Sequence, residues 1–348
     1  MALVFCDSFD HYTNPSQKWD LVGVSGIYPQ IQSASVRTGA QALEIANALG
    51  RAPVFVQKNI PTQATYFLGF ALNVINNSIQ IPICEFLDSS QTQVGLFLDS
   101  GGHFQFYRGS ISAGYVLLGS PSSQALPFGC FHYIEVKVAI DHISGQCQLN
   151  VDGTVWLTLA DQDTQYTANP LIGAITISSW DLGFDANNFQ AFVDDVYICD
   201  DSGTSCNTFL GNIQILCGMP DANGTANTWT RGGTNLGTNY KQVYEIPPDD
   251  DTTYLEDVAA TYIQAACYSG TTAAAEPVIP FVPPSSYADG QGFFPVDPNT
   301  GSPWGTSALT AAQFGVISSD GSIDRYLFPI LPTTVIIAAA VNMRAKNA

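Results

Sequence analysis

Phe131-His-Tyr-Ile-Glu-Val-Lys-Val-Ala-Ile140, followed by Gly145-Gln-Cys-Gln-Leu-Asn-Val-Asp-Gly153 and Thr154-Val-Trp-Leu-Thr-Leu159, decides how this chain folds. In the first run Ile134, Val136, Val138 and Ile140 alternate with Glu135 and Lys137. That is the two-residue period of a strand with one buried face. Phe131 and Tyr133 have the opposite parity, which predicts a change of inward face near Tyr133, as at a strand entry or bulge. Asp152-Gly153 then separates two alternating runs. A tight type I′ turn needs positive φ at both central residues, and Asp-Gly tolerates it, so a β-hairpin is predicted.

The same texture extends outward. Short β-branched and aromatic runs at 52–58, 66–74, 81–87, 93–98, 103–107, 131–140, 147–151, 154–159, 174–178 and 191–199 alternate with Gly, Asn, Asp and Pro. So many close strands before residue 200 suit a two-sheet sandwich. Helix patterns are scarce: 307–314 reads as one or two turns, and 254–266 as a few more. After residue 216 the chain is looser, with Arg231-Gly-Gly, Pro247-Pro-Asp-Asp-Asp251 and a Pro-rich passage over 277–284. Two domains are expected: residues 1–203, a β-sandwich, and 204–348, a smaller, loop-rich, mainly β domain.

Only 12% of the 348 residues are charged, about half the usual share. The formal net charge is −19, and both parts share it. No basic stripe is available to neutralise phosphates, which argues against direct nucleic-acid binding. Met1-Ala-Leu-Val-Phe-Cys-Asp7 lacks a positive n-region and does not read as a secretory signal. Residues 326–343 carry no charge, but Pro329 and Pro332 interrupt them, so two buried strands are expected there and no membrane span. Of eight cysteines, Cys84 and Cys147 lie in apolar runs and read as inert buried thiols. Cys199 and Cys206 bracket a turn-rich loop, which makes them the candidate disulfide. No Cys-x-x-Cys or zinc spacing with the four histidines occurs.

The 131–153 hairpin, with Ser35-Val-Arg-Thr-Gly-Ala-Gln-Ala-Leu43 before it and Phe189-Gln-Ala-Phe-Val-Asp-Asp-Val-Tyr-Ile198 after it, resembles laminin-G-type concanavalin A-like jelly rolls. Further on, Phe209-Leu-Gly-Asn-Ile-Gln-Ile, Glu245-Ile-Pro-Pro-Asp-Asp-Asp-Thr-Thr-Tyr254 and Asp297-Pro-Asn-Thr-Gly-Ser-Pro-Trp304 through Ala311-Ala-Gln-Phe-Gly-Val316 resemble virion-associated proteins of tailed bacteriophages. That resemblance implies a structural virion component, assembled in the host cytoplasm through contacts with other virion proteins and with itself. Residues 204–348 would then serve as its assembly and anchoring domain. The alternative is a carbohydrate-binding, receptor-recognition module of the particle that meets a host surface glycan. A glycan-cleaving enzyme is the remote alternative.

Chemistry on such a fold has two forms to weigh. Glycosidases of this type pair carboxylates on one sheet face. Glu85 and Glu135 are the strand glutamates that could meet, and both read as surface charges. Laminin-G-type domains also hold Ca²⁺ through loop Asp and Asn oxygens. Asp152, Asp181, Asp185 and Asn187 are the candidate ligands here, although Asp152 also serves its turn and Asp194-Asp195 open the last strand. Tyr107 and Trp180 are candidate glycan-facing aromatics. With no nucleophile motif, metal-protease motif or phosphate loop present, the sequence reads as a non-enzymatic chain without a cofactor.

Overall fold

A computed structural model describes residues 3–23, 28–46, 53–89, 91–110, 114–179, 189–244, 249–257, 260–283, 285, 288–328 and 339–346. The chain divides into two units, Met1–Ile215 and Leu216–Ala348. Residues 204–215, placed on sequence with the C-terminal domain, belong to the first unit.

The first unit is a β-sandwich. One sheet runs in the order Thr154–Gln162, Gly145–Val151, His132–Ala139, Thr65–Asn77, Phe189–Asp200, Ala42–Ala46 and Gln30–Gln32, with Leu3–Asp7 also paired to Phe189–Asp200. The other runs Gly114–Leu118, Phe104–Ser110, Gln91–Leu98, Ile81–Asp88, Ile172–Ser179, Val54–Gln63 and Leu21–Gly23. All these neighbours pair antiparallel, as in a jelly roll. The predicted hairpin is present: Val136 faces Leu149 and Val138 faces Cys147 across the ladder. All four side chains are fully buried, each aliphatic one stabilising the fold by roughly 1.5–3 kcal/mol. Asp152 and Gly153 take φ of 50° and 76° at the tip, the positive values such a turn requires.

The expected change of parity near Tyr133 does not occur. His132 to Ala139 pair with Leu72 to Thr65 without a break. Tyr133 is buried because the outward face of this sheet is itself covered. A strap formed by residues 209–215 crosses it. Phe209 packs edge-on against Phe67, with ring centroids 5.2 Å apart. The Leu210 amide donates to the Tyr197 hydroxyl (3.0 Å), Gly211 to Glu135 (2.8 Å) and Ile215 to Asp195 (2.7 Å). Arg37 fastens the far end. Its guanidinium pairs with Asp195, donates to the Ile213 carbonyl at 2.7 Å and lies 5.0 Å from the Tyr133 ring centroid.

A second polar knot closes the N-terminus of the sandwich. Asp7, with no exposed surface, accepts from Lys18 Nζ (2.9 Å), Trp19 Nε1 (2.9 Å), the Phe9 amide (3.0 Å) and the Tyr12 hydroxyl.

The second unit is mainly β as well. A five-stranded sheet orders Ala222–Asn227, Ile323–Leu327, Gln313–Ser318, Ile263–Ser269 and Thr272–Phe281. It has its own apolar cluster, including Ile263, Cys267, Phe294, Trp304, Phe314 and Met343. The short helix Thr306–Ala311 overlaps the predicted 307–314 segment, whose last residues open the strand Gln313–Ser318. By contrast, 254–266 is not helical: Thr253–Glu256 and Ile263–Ser269 are strands there. Ile263, Ala265 and Cys267 feed the core at a two-residue spacing that only a strand satisfies. Strands end at Leu327 and resume at Ala339, and 329–338 lie outside the described residues. No helix among the described residues is long and apolar enough to cross a membrane.

Candidate functional site

The seven-stranded sheet presents polar residues on its outward face because its strands alternate over most of their length, with irregularities between Pro82 and Cys84, Phe86 and Leu87, and Ile172 and Ala174. Cys84 and Phe86 point into the core while Glu85 points out; Ile175 and Ile177 point in while Thr176 and Ser178 point out. Val94, Leu96 and Leu98 fill the interior, leaving Gly95 and Phe97 outside. Phe104 and Phe106 do the same for Gln105 and Tyr107, and Val54 and Val56 for Phe55 and Gln57.

Strand register then lines these residues up. One transverse row crosses the whole sheet as Leu21, Gln57, Thr176, Glu85, Gly95, Tyr107 and Leu117. Its ends are exposed, Leu21 at 53% and Leu117 at 42%. Its middle is not: Thr176, Glu85 and Gln57 are only 4–7% exposed. Polar side chains so placed need partners, since each orphaned buried polar atom costs about 1–3 kcal/mol. Some have them. Thr92 donates to Glu85 at 2.8 Å, Gln57 to Asn59 at 3.0 Å, Gln80 to the Tyr107 hydroxyl at 2.8 Å, and that hydroxyl to Gln105 at 2.7 Å. The Thr176 and Ser178 hydroxyls have none.

Beside this floor stands an aromatic group. Phe97 and Tyr107 meet edge-on at 4.8 Å, Tyr107 and Tyr115 edge-on at 4.7 Å, and Phe97 stacks with Tyr115 at 5.6 Å. Gly95 separates this cluster from Glu85. A Cβ there would come within 2.8 Å of the Phe97 ring and 3.5 Å of Glu85 Cγ, so the missing side chain lets the Phe97 ring lie over the backbone beside Glu85. At the opposite end Gln93 spans to the 166–171 segment, donating to the Asn169 carbonyl (2.5 Å) and accepting from the Tyr166 amide (2.6 Å).

Burial raises the Glu85 carboxyl above its ordinary value, and the Thr92 hydrogen bond opposes this only in part. A carboxyl shifted up in the fold stabilises it fully below the unfolded carboxylate range and loses that contribution as pH rises through the folded value. Glu85→Gln cannot ionise. Its melting temperature is therefore expected to gain on the wild type as pH is raised from acid to neutral, and thermal unfolding across that range measures it. A gap that stays constant with pH would show that Glu85 ionises freely.

The chain matches no family model, and no curated protein matches it. Solved structures do. A glucuronan lyase from the fungus Trichoderma reesei aligns with 56% of this chain and 94% of its own, at 14% identity and a TM-score of 0.43. An alginate lyase aligns over 56% and 96%, at 13% identity and a TM-score of 0.37. A cellulose-induced protein gives 56% and 96%, 13% identity and 0.43. These likenesses are of fold. The expectation of a non-enzymatic chain is not kept, since two of these structures are of lyases.

The other sequence candidates fall elsewhere. Glu85 and Glu135, expected as surface charges, are 5% and 1% exposed. They lie on opposite sheets, so they form no carboxylate pair. Glu135 accepts from Tyr197 (2.6 Å) and Gly211 and belongs to the strap. Asp152 is used by its own hairpin, meeting His132 Nδ1 at 2.7 Å and the Tyr133 amide at 2.8 Å. Asp181, Asp185, Asn187 and Trp180 lie outside the described residues. Asp194 and Asp195 bind the backbone of Arg37 and Thr38 and the Thr38 hydroxyl. Among the described residues no group of acidic, His or Cys side chains is set to hold a metal. Cys199 and Cys206 are both free thiols, not a disulfide; Cys84 and Cys147 are buried, and burial pushes both thiols up. Among the described residues Tyr107 is the one sequence-named aromatic on the polar face. Thr176 and Gln57 were missed, although Ile-Thr-Ile-Ser178 and Val-Phe-Val-Gln57 carry the alternation that exposes them.

Proposed function

We propose that the outward face of the seven-stranded sheet binds a carbohydrate chain. The observation that carries this reading is the row from Gln57 to Tyr107, in which buried hydroxyl, amide and carboxyl groups share a floor flanked by aromatic rings. Sugar rings demand that pairing: hydroxyls that seek hydrogen bonds, and C–H faces that pack on apolar or aromatic surface. Tyr115, half-buried, offers its ring beside Phe97 and Tyr107. The resemblance to tailed-phage virion proteins would make the ligand a host surface glycan, a setting that rests on those residues alone.

Glycan-array binding of the purified protein tests the reading. Tyr115→Ala and Gln57→Ala should each weaken retention about tenfold or more, as removal of a central contact does. Lys137→Ala, on the opposite sheet, should not. An array without a single bound glycan, or variants of this row that bind as the wild type does, would overturn it.

A further inference from the structure

The glycan itself can be narrowed, given the carbohydrate-binding reading: we infer that this face takes an uncharged polysaccharide and turns away polyuronates and other polyanions. Recognising a carboxylate- or sulfate-bearing sugar calls for a cation, best the two-pronged guanidinium of arginine. The first unit has few to give: Lys18, Arg37, Arg51, Lys58, Arg108 and Lys137. Five of these lie among the described residues, and each is engaged elsewhere. Lys18 is buried against Asp7. Arg37 serves the strap on the opposite sheet, pairing with Asp195. Lys58 reaches the Lys18 carbonyl at 2.9 Å and Asp20 at 3.2 Å. Arg108 pairs with Asp163, and Lys137 donates to Gln146 at 2.9 Å on the other sheet. His103, beside the aromatic end, sits 3.4 Å from Asp99.

What occupies the middle of the floor is the opposite of a cation. Glu85 lies there, with Thr176 beside it across the ladder and Asp88 near the Gln93 end, bound to Thr167 and Asn169. An anionic sugar set over Glu85 would meet a like charge where water screens little. A neutral sugar meets no such penalty. Its ring can pack against the half-buried Tyr115, beside Tyr107. The net charge of −19 adds long-range repulsion of the same sign.

Affinity electrophoresis of the full chain through gels containing dextran, laminarin, galactomannan or xyloglucan, or else alginate or polyglucuronate, decides this. One or more of the neutral polymers should retard the protein equally at low and high salt, and neither uronate should. Tyr115→Ala, which removes the half-buried ring of the aromatic group, should weaken retardation about tenfold. Tyr107→Ala is the independent second variant, with circular dichroism to show that both fold. Retardation by a uronate without any by the neutral polymers overturns the inference and leaves carbohydrate binding standing. Retardation by no polymer overturns both. Neutral binding that neither variant weakens places the glycan on another surface, and the inference fails with the site.

Discussion

Asp7→Ala is expected to lower the stability of the sandwich by about 3–5 kcal/mol, the usual consequence of removing one member of a buried ion pair. Lys18, only 3% exposed at its side chain, would keep its charge with no counter-ion. Trp19 Nε1, the Tyr12 hydroxyl and the Phe9 amide would lose an acceptor at the same time. In a unit of this size that corresponds to roughly 6–20 °C in melting temperature. Adding Lys18→Met should return part of the loss, because the stranded charge goes with it. Urea unfolding of the two proteins measures both effects, and a single variant within about 0.5 kcal/mol of wild type would disprove the role given to Asp7. The knot is also acid-labile. Burial alone would raise Asp7, but Lys18, His11 and the Tyr12 hydrogen bond bring it below its ordinary value. A carboxylate held low stabilises the fold above its unfolded range and loses that contribution as pH falls through the folded value.

Arg37→Ala should cost about 2–4 kcal/mol, since it strips charge-assisted bonds from Asp195 and from the strap together. The sharper readout is local. The Leu210, Gly211 and Ile215 amides, which donate to Tyr197, Glu135 and Asp195, should exchange faster with deuterium. Limited proteolysis between residues 203 and 215 should accelerate in step. Lys137→Ala, on the same face but hydrogen-bonded to Gln146 and 5.9 Å from the Phe67 ring centroid, should change stability by less than about 1 kcal/mol. Equal protection of the strap amides in Arg37→Ala and wild type would show that the strap holds without its clasp.

The sandwich was legible because alternation reports burial directly. Val136, Val138 and Leu149 are core for the reason their spacing implies, and Asp152-Gly153 turns as its chemistry requires. The site was not legible for the same reason. Alternation says which residues leave the core, not whether something else covers them. Glu135 leaves the core and is covered by the strap; Glu85 leaves it and lies in the floor of a polar row. Telling those apart takes strand order, since Thr176 meets Glu85 only through the pairing of Ile172–Ser179 with Ile81–Asp88. The strap itself carries no periodic signal. Its hold comes from single amides meeting side chains far away in the chain, which no local pattern records.

The pairing of Leu3–Asp7 with Phe189–Asp200 has a mechanical consequence. Leu3 lies opposite Cys199, so the chain enters and leaves the sandwich at the same end of two antiparallel neighbours. Tension between those points opens the ladder as a zipper, loading its hydrogen bonds one after another instead of all together in shear. A sandwich pulled this way yields at modest force. The strap lies in series with that ladder, and its Arg37 clasp takes the load first. As long as the clasp holds, a pull arriving from beyond Ile215 enters at Asp195, past the Asp7–Val196 end of the ladder, and loads its hydrogen bonds together in shear.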